Sequence, residues 1–240
     1  MRSFYQTIVL GASMEGLGYA WAQPDTLILE SSEMLAPEYT AAFHPLCGDF
    51  SREEGPLTDS LRKNGVLSRD GALDFLALST GLYRFAGENS LPILLLAKTV
   101  EIRRSEHGTE VEFYTNQGLC TIQGTHLLDT RPKKPLRRTY NVLCHRPSAG
   151  FAERLKEQFP LGVEIVPSFR KDECVIRFAV TKEAGISDAR RMVTEGWKVA
   201  FPDGGSKITA AAFDLDCLEL GANPLAAFQH GMQCGKEGRI

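Results

Sequence analysis

Gly11, Ser13 and Gly16 stand in the spacing G-x-S-x-x-G, followed by Ala20 and, nineteen residues after Gly11, by Glu30. Residues of these types at this spacing can hold a pyrophosphate. The first glycine lets a strand turn sharply into a helix, the second small residue admits the phosphates close to the backbone, and the third lets helix and strand pack closely. The free N–H groups and partial positive charge of the helix N-terminus then face the anion. Glu30, at the end of a second strand, is placed to accept the hydroxyls of an adenosine ribose, and an acid there disfavours a ribose 2′-phosphate. Ser13 replaces the usual central glycine; its hydroxyl can donate to a phosphate, while its Cβ narrows the approach. Gly11, Ala12, Ser13, Glu15, Gly16, Glu30 and Ser31 are the residues expected to hold the nucleotide. The same glycines also serve tight strand–helix packing with no ligand, so the surrounding elements must decide.

Other chemistry is sparser. His44 and Cys47 lie in the segment after Glu30. His44 is the candidate for moving a proton to or from a substrate. The six cysteines include no C-x-x-C and show no metal-like spacing, so they read as reduced thiols and no metal site is expected. Asp214 and Asp216 flank Leu215, an arrangement that ordinarily faces water. His145 and Arg146 end a strand and read as a strand-end polar pair. Net charge is −3, which gives no case for a nucleic-acid surface. The run Arg131, Lys133, Lys134, Arg137, Arg138 is local and suits a loop or a patch for an anionic group.

The elements around the motif have the required order. Thr7–Leu10 is a short apolar run ending at Gly11, Met14–Gln23 reads as a helix closed by Pro24, and Thr26–Leu29 is a second buried strand. Residues 31–57 carry little periodicity and form a long loop, a frequent home of function. Residues 58–65 and 70–86 read as helices, and Leu91–Leu96 as a strand. Alternating segments over 99–104, 110–115 and 119–123 form a β-meander, with a further short strand at 126–129. After Arg131 come strands at 140–145, 163–167 and 174–180 and helices at 150–158 and 187–198. The tail has a strand at 207–213 and a helix from Pro224, with Asn223 as N-cap. An A-x-A triplet at Ala20-Trp21-Ala22 looks like a signal-peptide end, but Glu15 interrupts the apolar stretch before it. No apolar run nears the ~20 residues of a membrane span. The expectation is a soluble, cytoplasmic protein acting on a small-molecule substrate.

The glycine turn, Glu30, the meander over 91–129 and the tail helix together resemble the FAD-dependent oxidoreductases with a glutathione-reductase-like FAD-binding fold. The resemblance covers about 130 N-terminal residues and the last twenty or so. It implies an α/β chain, with a Rossmann-like FAD-binding domain of parallel sheet and β-meander plus a small α+β insert. Residues 1–134 and 201–240 would form the FAD domain, and 135–200 the substrate or cap domain. It adds Gly221 and Asn223 to the expected cofactor contacts and makes FAD the expected cofactor; Arg131, which the family pattern lacks, stands near where the cofactor would lie and could pair with a phosphate or block the site. The chain departs from the pattern at Thr130-Arg131, where the family carries glycine, and at Ser31-Ser32, where a glycine pair often follows the acid. Two other readings stay open: a flavoprotein-like binding or partner subunit without catalysis, and an NAD-binding protein.

Overall fold

The computed structural model describes residues 2–106, 108–131, 138–145 and 147–239. Lys133, Lys134, Arg137 and Arg146 therefore lie outside the described residues.

The chain starts with β1 (Phe4–Leu10), α1 (Met14–Ala22) and β2 (Thr26–Leu29). Four consecutive buried residues in β2 make it a strand covered on both faces, as parallel strands must be. β2 pairs in parallel with β1, setting Val9 opposite Ile28. The loop after β2 carries α2 (Pro37–Thr40), and α3 (Pro56–Lys63) and α4 (Phe75–Glu88) follow. α4 begins at Asp74, whose side chain accepts from the amides of Leu76 and Ala77. Next come β3 (Ile93–Leu94), β4 (Lys98–Ser105), β5 (Gly108–Thr115) and β6 (Gly118–Asp129).

The six strands form one mixed sheet in the order β3-β2-β1-β6-β5-β4. β6 merges two expected strands into one of twelve residues. Its first half pairs antiparallel with β5, and its second half pairs parallel with β1. A single strand can serve two partners because each edge carries its own ladder of amides and carbonyls. On one face, Val9 and Ile28 pack with Leu17, Leu78, Leu82, Phe85, Leu225 and Phe228 from the helices. On the other, Ile8, Leu10, Leu27 and Leu29 pack with Val111, Phe113 and Ile122 of the meander.

β7 (Arg138–His145), α5 (Phe151–Gln158), β8 (Val163–Pro167), β9 (Glu173–Val180) and α6 (Ile186–Ala200) follow, then β10 (Lys207–Ala211) and α7 (Pro224–Glu237). The second sheet is antiparallel, in the order β10-β7-β9-β8. Strand β10 thus stands in this sheet, although residues 201–240 were expected in the nucleotide half; five residues of weak patterning do not say which edge they will join. Phe151, Leu155, Val193 and Trp197 of α5 and α6 bury against this sheet, and Phe43 and Phe75 from the first half join the same cluster. Helix α7 returns to α1, packed backbone to backbone: a Cβ on Gly18 would sit 2.0 Å from Phe228 O, and one on Gly231 1.9 Å from Glu15 O. Among the described residues, no helix is long and apolar enough to cross a membrane.

Candidate functional site

Gly11 ends β1 with φ +93°, a conformation that favours glycine, and donates its N–H to Leu29 O at 2.9 Å. The turn leads to Ser13, the N-cap of α1, whose Oγ accepts from Gly16 N at 3.0 Å. Gly16 must stay bare, because a Cβ there would lie 2.7 Å from Gly11 O and 2.8 Å from Thr130 Oγ1. Glu30, 4% exposed, stands beside the turn at the end of β2. Its Oε2 accepts from Ala12 N at 2.8 Å, and its Oε1 from Ser32 N at 2.7 Å. Ser31 Oγ donates to Oε1 at 3.3 Å.

These residues edge a cleft of about 320 Å³, at the lower end of ligand-pocket sizes. Gly11, Ser13, Glu30, Ser31 and Arg131 all line it, so the structure joins five expected residues at one opening. Arg131 is chelated by Asp129, with Nε–Oδ1 2.8 Å and Nη2–Oδ2 2.6 Å. Its Cγ would lie 2.9 Å from a Cβ at Gly11, so the arginine stem covers the turn.

Four expected contacts lie elsewhere. Glu15 turns outward to α7, where its Oε1 meets His230 Nδ1 at 3.0 Å. Asn223 caps α7 by accepting from Leu225 N and Ala226 N, and its amide donates to Glu53 at 2.6 Å. Neither Asn223 nor Gly221 lines the Gly11 cleft. His44 is fully buried and does not line the cleft either. Its Nδ1 pairs with Asp216 Oδ2 at 2.9 Å. Held there, the imidazole does not line the cleft, and its Nε2 is buried without a partner among the described residues.

The residues that sequence reasoning missed sit on the far wall and behind it. Ser32, Pro37, Glu38, Asp214, Leu215 and Cys217 line the cleft too, as does Arg138 from the basic run expected to suit a loop or an anionic group. Glu38 Oε1 accepts from Met14 N, the first amide of α1, at 2.8 Å. Burial pushes its carboxyl up to about 7, against the lowering effect of the Met14 amide, and the negative charges of Glu30 and Glu15 add to the rise. Asp216, expected to face water, is 1% exposed. Besides His44 it accepts from Asn141 Nδ2 at 2.7 Å and pairs with Arg177 Nη2 at 3.4 Å. Its neighbour Asp214 does reach the cleft.

A second cluster also escaped the spacing argument. Cys234 Sγ lies 3.7 Å from His230 Nε2, four residues away on α7, with Glu15 on the other ring nitrogen. The i, i+4 pair shares a helix face, a spacing visible once 224–237 is known to be helical.

No protein-family model matches the sequence, and no curated protein matches it. Solved structures do match by fold. The anhydrotetracycline hydroxylase OxyS from Streptomyces rimosus aligns over 98% of this chain and 61% of its own, with TM-score 0.56 and 14% identity. The flavin-dependent monooxygenase PieE, in complex with FAD and substrate, aligns over 87% of this chain and 49% of its own, with TM-score 0.53 and 12% identity. A flavoprotein/dehydrogenase from Cytophaga hutchinsonii aligns over 98% and 76%, with TM-score 0.52 and 10% identity. This chain spans roughly half to three quarters of the length of these proteins. At such identities the likeness shows the fold: a mixed α/β architecture of the kind found in flavin-dependent monooxygenases and hydroxylases.

Proposed function

We propose that this chain binds FAD in the Gly11 cleft and is an FAD-dependent oxidoreductase acting on a small organic substrate. One observation carries the reading: the left-handed turn at Gly11 and the carboxylate of Glu30 stand side by side on one cleft, bonded through Ala12 N. The fold likeness to flavin-dependent hydroxylases supports it. The finer Rossmann-like, glutathione-reductase-like assignment rests on the G-x-S-x-x-G turn and the acid together with the meander and the tail helix.

The residues present fit the adenosine and pyrophosphate part of such a cofactor. Gly11 lets the backbone turn with no Cβ of its own, and the side chain over the turn is the stem of Arg131. Glu30 Oε1 already accepts from Ser32 N and Ser31 Oγ, whereas Oε2 accepts from Ala12 N and retains acceptor capacity for a ribose hydroxyl. Arg131 and Arg138 both line the cleft; the Arg131 guanidinium is engaged by Asp129, while Arg138 Nη2 donates to the neutral carbonyl of Ala184 and keeps a positive charge to set against phosphate. The flavin itself would supply the electron-transfer chemistry. The second sheet with α5 and α6 is read as the substrate or cap module. Asp214, Leu215 and Cys217 bring it to the nucleotide cleft.

Purified protein reconstituted with FAD should be yellow and retain flavin after gel filtration. Protein that stays colourless after incubation with excess FAD would overturn the reading. The stem of Arg131 over Gly11 keeps a second reading open, a subunit that binds nucleotide without turnover. That subunit would hold flavin that no metabolite panel reduces under anaerobic conditions.

A further inference from the structure

Residue Glu38 places an anion where the FAD reading requires one. Its Oε1 accepts the Met14 N–H at 2.8 Å, at the N-terminus of the nine-residue helix α1. Its Oε2 is buried and has no partner among the described residues. A buried, unsatisfied carboxylate oxygen is costly when charged. The side chain is built in rather than stray. Ala36, with φ +48°, donates its N–H to Ala12 O at 2.7 Å, and Thr40 Oγ1 donates to Leu35 O at 2.8 Å. These bonds tie both ends of α2 around Glu38, next to the glycine turn. Glu38 lines the same cleft as Gly11, Ser13, Glu30 and Arg131.

We propose that Glu38 is a carboxylate gate on the nucleotide cleft, which yields the α1 N-terminus to a dinucleotide pyrophosphate on taking up a proton. The inference rests on the FAD reading above and adds a condition to it. A helix N-terminus attracts anions through its free amides and dipole. An ionised Glu38 and a pyrophosphate compete for the Met14 amide and repel each other. Protonated Glu38 instead offers an O–H donor, turning a competitor into a partner. A pyrophosphate diester stays doubly ionised across the neutral range, so the proton must come to the carboxylate.

The groups around Glu38 agree in sign. Glu30 at the end of β2 and Glu15 on α1 both add negative charge that favours its neutral form. Tyr39, its neighbour in α2, is held neutral by burial. Arg131, Arg138, Asp214 and Cys217 share the cleft; Arg131 is already paired with Asp129, and Cys217 is kept protonated by burial and by the charges of Asp216 and Asp214. The carboxyl of Glu38, lifted to about 7, is neutral below that pH and charged above it.

FAD titration of the full chain by flavin fluorescence between pH 6 and pH 8.5 tests the gate. Wild-type affinity should hold below pH 7 and fall by up to about tenfold per unit above it, as linkage to one proton requires. Glu38→Gln keeps an amide-accepting oxygen without the charge. Its affinity should be level over the same range and about tenfold or more tighter than wild type at pH 8.5. Calorimetry in two buffers of different ionisation enthalpy gives a readout independent of the variant: wild type should take up about one proton per FAD at pH 8. Level wild-type affinity with no proton uptake, or a Glu38→Gln variant with the wild-type slope, overturns the gate and leaves the FAD reading standing. If FAD binds neither protein even at pH 6, the FAD reading fails, and the gate on FAD fails with it.

Discussion

Glu30 shows how a single carboxylate can be both a brace and a contact. Its two oxygens hold the amides of Ala12 and Ser32 at 2.8 and 2.7 Å, which fixes its orientation at the mouth of the cleft. Glu30→Ala should weaken FAD binding by about 1–3 kcal/mol, the range for losing hydrogen bonds to a charged acceptor. Titration at pH 6, where the Glu38 carboxyl is neutral, isolates this loss from the proton effect. Unchanged affinity would mean that the ribose does not rest on Glu30. His44 makes the opposite point. Residue type and loop position suggested proton transfer; the fold buries the ring completely, binds it to Asp216 at 2.9 Å and keeps it off the cleft lining.

Helices α1 and α7 meet at a distance that only glycine permits. Gly18, Gly231 and Gly235 face backbone atoms of the partner helix, with a Cβ on Gly235 falling 2.9 Å from Tyr19 O. This contact sets the orientation of α1, and with it the amides that edge the cleft. Gly231→Ala should lower stability by about 1–3 kcal/mol or more, the usual cost of overpacking. Gly87→Ala is the control: this exposed α4 glycine would gain a Cβ with nothing within 4 Å. It should be neutral or stabilising by up to about 1 kcal/mol, because alanine restricts the unfolded chain and favours helix. Urea unfolding midpoints of the two variants check the contrast; equal midpoints would refute the close-packing account.

At the scale of the whole molecule, the two sheets are joined through buried charge. Asp216 follows β10 and bridges to Thr139 of β7. It also receives His44 from the loop after β2, Asn141 from β7 and Arg177 from β9. Arg177 continues to Glu164 of β8 at 2.8 Å. Asn141 also donates to Ala42 O at 3.0 Å, tying the nucleotide-side loop to the second sheet. Removing Asp216 takes away the carboxylate that His44 pairs with and leaves the buried Arg177 facing only Glu164 and the carbonyl of Leu218. Asp216→Ala should therefore destabilise the protein by about 3–5 kcal/mol, seen as a fall in the denaturant midpoint. A midpoint within error of wild type would show that the sheets do not depend on this junction.

The amino-acid sequence alone determined β1, the glycine turn, α1 and β2, with the strand start placed three residues late and the helix end one residue late. These features depend on neighbours in the chain: apolar runs, a residue free to take positive φ, and an acid at the strand end. The meander and most of the second half were legible by the same alternation, except that β6 proved continuous. Only tertiary structure decided the edge β10 joins, the burial of Asp216 and the place of Glu38. His44 lies 172 residues from Asp216, and Met14 lies 24 from Glu38. Local pattern says whether a carboxylate can face water. Whether it does depends on which distant donors the fold brings within 3 Å, because only those bonds offset the cost of burying charge.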